Sequence, residues 1–271
     1  MGRYDDNENG YLENMLRGMD LGWLVSISEG SIPGVASNEK FGMNNGVGTA
    51  YETMWWGDGT GGDYAWPASG QTMYLSSSDA DDTVAGAGAQ TVEVDYLDSN
   101  YAEQSVTLDM AGVLASAAIL DVFRIQRMRV VTDGATGPNL GHIYLGTGTI
   151  TAGKPANIFG SIGFDATAGF GQSLQAFWTV PLGKTAFITD IEGGVDVAKG
   201  VDCMLQTRAF GEAWNTRSTR DLYQTGYHRK FVAPLKILEK ADLRMMTKIG
   251  SSGGSISGAI GIIIEDNVVD G

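Results

Sequence analysis

Residues Gly88–Asp109 read G-A-Q-T-V-E-V-D-Y-L-D-S-N-Y-A-E-Q-S-V-T-L-D. Val92, Val94 and Tyr96 alternate with Thr91, Glu93 and Asp95, and a second alternation runs from Ser105 to Met110. Period two sends successive side chains to opposite faces, so the stretch predicts two strands. Asp98, Ser99 and Asn100 between them are turn formers, which makes the pair a hairpin. A hairpin with one apolar face must bury it against another layer.

Outward from this hairpin the pattern recurs. Asp121–Val131 predicts a longer strand, and it concentrates Arg124, Arg127 and Arg129 in a chain with few basic residues. His142–Leu145, Asn157–Phe164, Gln172–Val180, Thr185–Ile191, Val201–Ala209, Leu243–Ile249 and Ile256–Ile264 continue the series. The 39 glycines are about twice the ordinary share of roughly 7% and lack a G-X-Y period, so they read as tight turns. The expected fold class is all-β: two β-sandwich or jelly-roll modules, preceded by an N-terminal arm with a short helix. Gly146–Pro155 is the expected boundary, giving an arm over 1–37, a first β-sandwich module over 38–150 and a second, jelly-roll-like module over 151–271.

In the arm, Tyr11, Leu12, Met15, Leu16 and Met19 line one face of a short helix. So short a helix is marginal alone and must pack on its own β-body or on a neighbouring subunit. Leu21–Ile27 reads as a strand, and Pro33-Gly34 breaks the chain after it. Asn38–Pro67 carries Trp55, Trp56 and Trp66 among glycines without helical or strand periodicity. It reads as an ordered lead-in, either a cover over the first sandwich or an anchor between subunits. Phe41 and Trp66 are expected inward, with Trp55 and Trp56 at the junction.

The net charge of −14 opposes any binding that depends on neutralising phosphates, so nucleic acid is not an expected partner. Cys203, the one cysteine, lies in a strand-like alternation and reads as a buried structural thiol. Met1 is followed by acidic and amide residues, so no signal peptide is expected, and no apolar run approaches the length of about 20 residues that spans a membrane.

No catalytic constellation emerges. The two histidines, His142 and His228, sit at strand starts, and no G-x-S-x-G elbow is present. The Asp residues cluster in turns, where they cap their own backbone. Ser76–Thr83 has the oxygen density of a calcium loop without its spacing and reads as a polar loop. The chain is therefore expected to be no enzyme, with no catalytic, cofactor or metal site. The basic residues Arg124, Arg127, Arg129, Arg208, Arg217, Arg220, Arg229, Lys230 and Lys236 read either as solvated ion pairs or as faces that meet acidic arms or a neighbouring subunit.

The blocks N-E-K-F-G-M-N-N-G-V-G-T-A-Y-E-T-M-W (Asn38–Trp55), Y-A-W-P (Tyr64–Pro67), T-M-Y-L-S-S-S-D-A-D-D-T (Thr72–Thr83) and G-A-Q-T-V-E-V-D-Y-L-D (Gly88–Asp98) occur in this order. They are followed by Y-A-E-Q-S-V-T-L-D (Tyr101–Asp109), N-L-G-H-I-Y-L (Asn139–Leu145) and T-V-P-L-G-K-T-A-F-I (Thr179–Ile188). Over roughly residues 38–265 the chain resembles structural virion proteins of tailed bacteriophages, of marine podovirus-like type. The resemblance implies a place in a particle rather than a reaction: a capsid decoration or cement protein, or the base of a head fibre. The implied partners are the major capsid protein, other virion proteins and further copies of the chain, a trimer first, assembled in the host cytoplasm and placed on the virion. Tyr11, Leu12, Met15, Leu16, Trp55, Trp56, Arg124, Arg127 and Arg129 are the expected interface residues. The alternatives are a neck or tail component, and a glycan-binding receptor protein that stacks sugars on Trp214 in the loop Gly211–Thr219.

Overall fold

The computed structural model describes residues 22–195, 200–223, 225–251 and 253–267. Tyr11, Leu12, Met15 and Leu16, and with them the expected arm helix, lie outside the described residues. Residues 22–28 form a short helix, α1, where a strand was expected. The apolar run there is too brief for its period to be told from a strand's.

Eighteen strands follow among the described residues. The first is β1 (Val35–Asn44), then β2 (Glu52–Thr53), β3 (Gln71–Ser77), β4 (Ala89–Leu97) and β5 (Glu103–Asp109). Next come β6 (Ile119–Val122), β7 (Arg124–Asp133), β8 (Ile143–Thr151), β9 (Lys154–Ile162), β10 (Phe164–Asp165) and β11 (Ala168–Gly169). The series ends with β12 (Phe177–Thr179), β13 (Lys184–Val195), β14 (Gly200–Arg208), β15 (Asn215–Tyr223), β16 (Gly226–Ile237), β17 (Asp242–Ile249) and β18 (Ile256–Asp266). The fold is all-β, and every ladder between these strands is antiparallel.

The Gly88–Asp109 hairpin forms as read, with Val94 opposite Val106 and Thr91 opposite Asp109. Asp98 holds its turn by accepting from the Asn100 and Ala102 amides. This sheet, ordered β5-β4-β7, packs on a second one ordered β6-β3-β8-β9. Met73, Leu75, Val92, Val94, Ile125, Met128 and Leu145 from both sheets share one core.

The other sandwich has the sheets β1-β18-β13-β16 and β12-β17-β14-β15, with β2 added on β17. Counting β1 and then β12 to β18 as eight strands, the orders are first-eighth-third-sixth and second-seventh-fourth-fifth. That is the jelly-roll arrangement of two interleaved Greek keys. Its core unites Trp178, Leu205, Met245, Ile188, Ile260 and Met54.

The division of the chain therefore differs from the expected one. Gly146–Pro155 is no boundary but the tip of the β8–β9 hairpin, where Thr151 faces Lys154. The sandwich of β3–β9 is inserted between the first and second strands of the jelly roll. The opening of the Asn38–Pro67 stretch, rather than lacking regular structure, supplies β1, whose partners run from Val35↔Glu265 to Asn44↔Ile256. Period two is hidden in β1 because Lys40 and Asn44 occupy inward positions and Phe41 points out, 37% exposed and not inward as expected. Gly42 is required there: a Cβ would collide with the Met54 carbonyl and the Ala176 amide, which cross directly beneath it. Of Gln172–Val180 only Phe177–Thr179 is strand; before it the chain makes single bridges, Gln172 to Arg129 and Gln175 to Trp55, because it passes between β7 and the Trp-rich stretch rather than along one neighbour.

Candidate interaction surfaces

The largest concentration of polar chemistry lies in the seam between the jelly roll and the inserted sandwich. β7 runs against β12, and its inward residues bond across rather than within a sheet. Gln126 donates to the Thr179 carbonyl at 2.6 Å, Gln175 donates to the Ile125 carbonyl at 3.1 Å, and the Met128 amide donates to Ser173 Oγ at 3.0 Å. Arg124 is buried here, not on an outer interface as expected. Its Nε donates to Asp242 Oδ1 at 3.0 Å, and its Nη1 to the Pro67 carbonyl at 2.8 Å. The buried Asp242 also accepts from Thr179 Oγ1 at 2.6 Å and from Arg208 on its other oxygen. One carboxylate thus ties β7, β12, β14 and β17 together, and a buried charge is tolerable only when it is paired this completely.

Lys40 enters the same seam from β1, 6% exposed, and donates to the Gln126 carbonyl at 2.5 Å. Burial, with the Arg127 guanidinium adding to it and Asp95 opposing it, pulls its ammonium down to about 7. A cleft of about 450 Å³ opens above it, lined by Asn38, Asp95, Glu103, Gln126 and Trp178 among others.

Trp55 and Trp56 belong to this seam too. They are buried within the chain, which corrects their expected place between subunits. Trp55 donates its indole N–H to the Gly62 carbonyl at 3.1 Å and packs edge-on against Tyr64 and Phe177. Trp56 donates to His142 Nδ1 at 3.1 Å, and the same nitrogen accepts from the Phe164 amide at 3.2 Å. His142 is thereby held as an acceptor, and burial lowers its pKa in the same direction. Trp66 does face inward as expected, against Tyr64 and Phe177. Trp214 stands over Trp66 with the Arg208 and Arg244 guanidiniums 4.6 and 4.2 Å from its ring centre. Its faces are engaged inside the chain.

The Ser76–Thr83 loop is organised by Asp82. This buried carboxylate accepts from Ser77 Oγ at 2.6 Å and from the amides of Ala89, Leu140 and Gly141 at 2.8, 2.9 and 3.0 Å. Among the described residues no group of three or more His, Cys, Asp and Glu is placed to hold a metal ion. Cys203 is buried on β14 next to Thr247, and burial pushes its thiol up to about 11.

Arg127 and Arg129, also on β7, are exposed, but each is opposite a carboxylate on β4: Arg127 pairs Asp95 at 3.0 Å and Arg129 pairs Glu93 at 2.6 Å. The basic face expected to seek an acidic partner already has one in the next strand. Two further surfaces stand out among the described residues, one that sequence reading missed and one of which it read only the charges. The first is α1, where Trp23, Leu24 and Val25 are 46%, 45% and 43% exposed while Ile27 is buried. The consecutive exposed apolar residues were the available signal. The second is the β15–β16 pair, of which the sequence showed only a strand start at His228 and the basic residues, because Arg, Thr and Lys interrupt the apolar periodicity.

No family model matches the chain, and no curated protein matches it. Solved structures that align with it come from infectious bursal disease virus. A chain of the Gx strain is 10% identical over 88% of this chain and 77% of that one, with a TM-score of 0.20. A chain of the T=1 particles derived from the same virus is 9% identical over 88% and 75%, with a TM-score of 0.18. A superposition that loose carries no argument about fold or role.

Proposed function

We propose that this chain is a non-enzymatic structural protein of a tailed-bacteriophage virion. It decorates or cements the capsid exterior, or forms the base of a head fibre, and it docks through its N-terminal arm. The observation that carries this reading is α1, which presents Trp23, Leu24 and Val25 to solvent at the entry to the β-body. Three adjacent large apolar side chains in water are an interaction surface rather than scattered exposure. The jelly roll agrees with it, being an architecture of capsid and lectin domains alike, and so does the resemblance of the ordered short motifs to those of phage virion proteins. The buried Asp82, Asp242 and Lys40 and the half-buried His142 are engaged in holding loops and the seam. The lectin-like alternative requires an open aromatic platform, and Trp214 is instead covered by Trp66 and two guanidiniums.

The test is the full chain with Trp23→Ser, Leu24→Ser and Val25→Ser, added back to particles stripped of the native protein. Binding is expected to fall by more than tenfold while the β-type circular dichroism is unchanged. Undiminished binding overturns the reading. Copy number on the particle separates decoration, at tens to hundreds, from a neck or tail position at roughly a dozen or fewer.

A further inference from the structure

A jelly roll has two open sides, each flanked by one edge strand from either sheet. On one side the edges are β1 and β12, and the inserted sandwich closes it through Lys40, Gln126 and Gln175. On the other side the edges are β15 and β16. Among the described residues β15 pairs only with β14, and β16 only with β13.

The charge of this free side is opposite to that of the chain. Residues 215–237 hold five basic residues, Arg217, Arg220, Arg229, Lys230 and Lys236, against one carboxylate, Asp221, in a chain of net charge −14. None of the five is in an ion pair among the described residues. Arg217 donates to Thr207 Oγ1 at 2.8 Å, Arg229 to Ser218 Oγ at 2.8 Å and Arg220 to the Thr219 carbonyl at 3.2 Å, all neutral acceptors. Edge strands are commonly guarded by charge, bulges and proline, and β16 has such a guard where Phe231–Pro234 sit opposite Thr189 alone. Guarding, however, works with either sign of charge. Lys230 lies across from Asp190, but in a chain with 32 acidic and 18 basic residues Arg217, Arg220 and Arg229 are left on neutral acceptors, a set suited to carboxylates.

The same chain carries the complementary segment. Residues 4–13, Y-D-D-N-E-N-G-Y-L-E, hold four carboxylates and no basic residue. They precede α1, which leads into β1, whereas β16 is the opposite edge of the same sheet. The strand that follows α1 and the arginine-bearing β16 are thus opposite edges of one sheet, a disposition that suits head-to-tail contact between copies, the kind that can close into a ring. We infer that the Arg217–Arg220–Arg229 edge binds the acidic segment 4–13 of a second copy. This deepens the proposed function by naming one receptor of the arm, and it rests on that reading only for its place on a particle.

The experiment uses two full-length variants. One carries Asp5→Lys, Asp6→Lys and Glu8→Lys; the other carries Arg217→Glu, Arg220→Glu and Arg229→Glu. By sedimentation velocity at low salt, the native chain is expected to associate, each variant alone to associate at least tenfold more weakly, and their equimolar mixture to recover. Recovery in the mixture also shows that the glutamate variant is folded. Mixed variants that stay apart overturn the inference, as does a native chain that is monomeric or an association indifferent to both sets. Binding of a sulfated polysaccharide to the arginine edge, with no association between copies, also overturns it in favour of a glycan ligand. Particle binding by the native chain is read separately, so loss of self-association with particle binding intact removes this inference and leaves the proposed function standing.

Discussion

β7 and the β15–β16 pair each carry three arginines, and their side chains meet opposite fates. On β7, Arg124 is buried on Asp242, and Arg127 and Arg129 lie across from Asp95 and Glu93. On β15 and β16, among the described residues, Arg217, Arg220 and Arg229 donate to hydroxyl and carbonyl oxygens rather than to carboxylates. Local sequence is similar in the two places, an alternation of basic and small polar or apolar residues. The difference is strand position. On β7 the register sets Asp95 and Glu93 opposite Arg127 and Arg129, with a second sandwich beneath, whereas on the edge strands Arg220 faces Cys203 and Arg229 faces Ile191. The charge left over after folding, not the charge in the sequence, marks the surface that is free to bind.

Asp242 is where the two regions differ most in what a substitution costs. Replacing Asp242 with Ala strands the buried Arg124 beside Arg208 and is expected to cost about 3–5 kcal/mol, read as a shift in urea midpoint. If the seam were as solvent-tolerant as the free edge, the loss would be small, and a midpoint within error of the native one would refute the assignment of Arg124 as buried structure.

Lys40 sharpens the same contrast through pH. Its ordinary value of 10.5 falls to about 7 in the folded chain. Between these values the unfolded chain holds the proton that the folded chain has released, so this group makes stability rise with pH from 7 towards 10.5. Below 7 the slope from Lys40 vanishes, and the cost of burying its charge is fully present. The Lys40→Met chain should lose that rise, which amounts to no more than about 1.4 kcal/mol per pH unit. Parallel stability-versus-pH curves for the two chains would remove Lys40 from the buried seam.

The smallest effects belong to the exposed residues. Arg127→Ala is expected to cost about 0–1 kcal/mol, the range of a surface pair. Arg220→Ala should stay within about 0.5 kcal/mol in the free chain while weakening self-association. Equal effects of the two on association would erase the distinction between a satisfied and an unsatisfied arginine.

Much of the fold was legible. The Val92–Tyr96 and Ser105–Met110 alternations became β4 and β5, and Val201–Ala209, Leu243–Ile249 and Ile256–Ile264 became β14, β17 and β18. The misreadings have physical causes. In β1 the pattern fails because Lys40 faces inward onto a carbonyl and Phe41 outward, a choice made by β7 and the seam rather than by β1. In β15 and β16 it fails because an edge strand buries little. Trp55 and Trp56 were assigned to a contact between subunits because their stretch seemed unneeded by the β-modules. The insertion creates an internal junction that needs them.

What residues settle locally is the class of structure. Alternation, turn formers and glycine act over a few residues, and they specify antiparallel β-structure without reference to distant segments. That Val35 faces Glu265, that a whole sandwich is inserted between the first two strands of a jelly roll, and that three arginines on β15 and β16 meet no carboxylate among the described residues were decided only by tertiary structure. Strand pairing joins residues more than two hundred positions apart, and register sets which charges meet, so its outcome depends on every strand of the sheet at once.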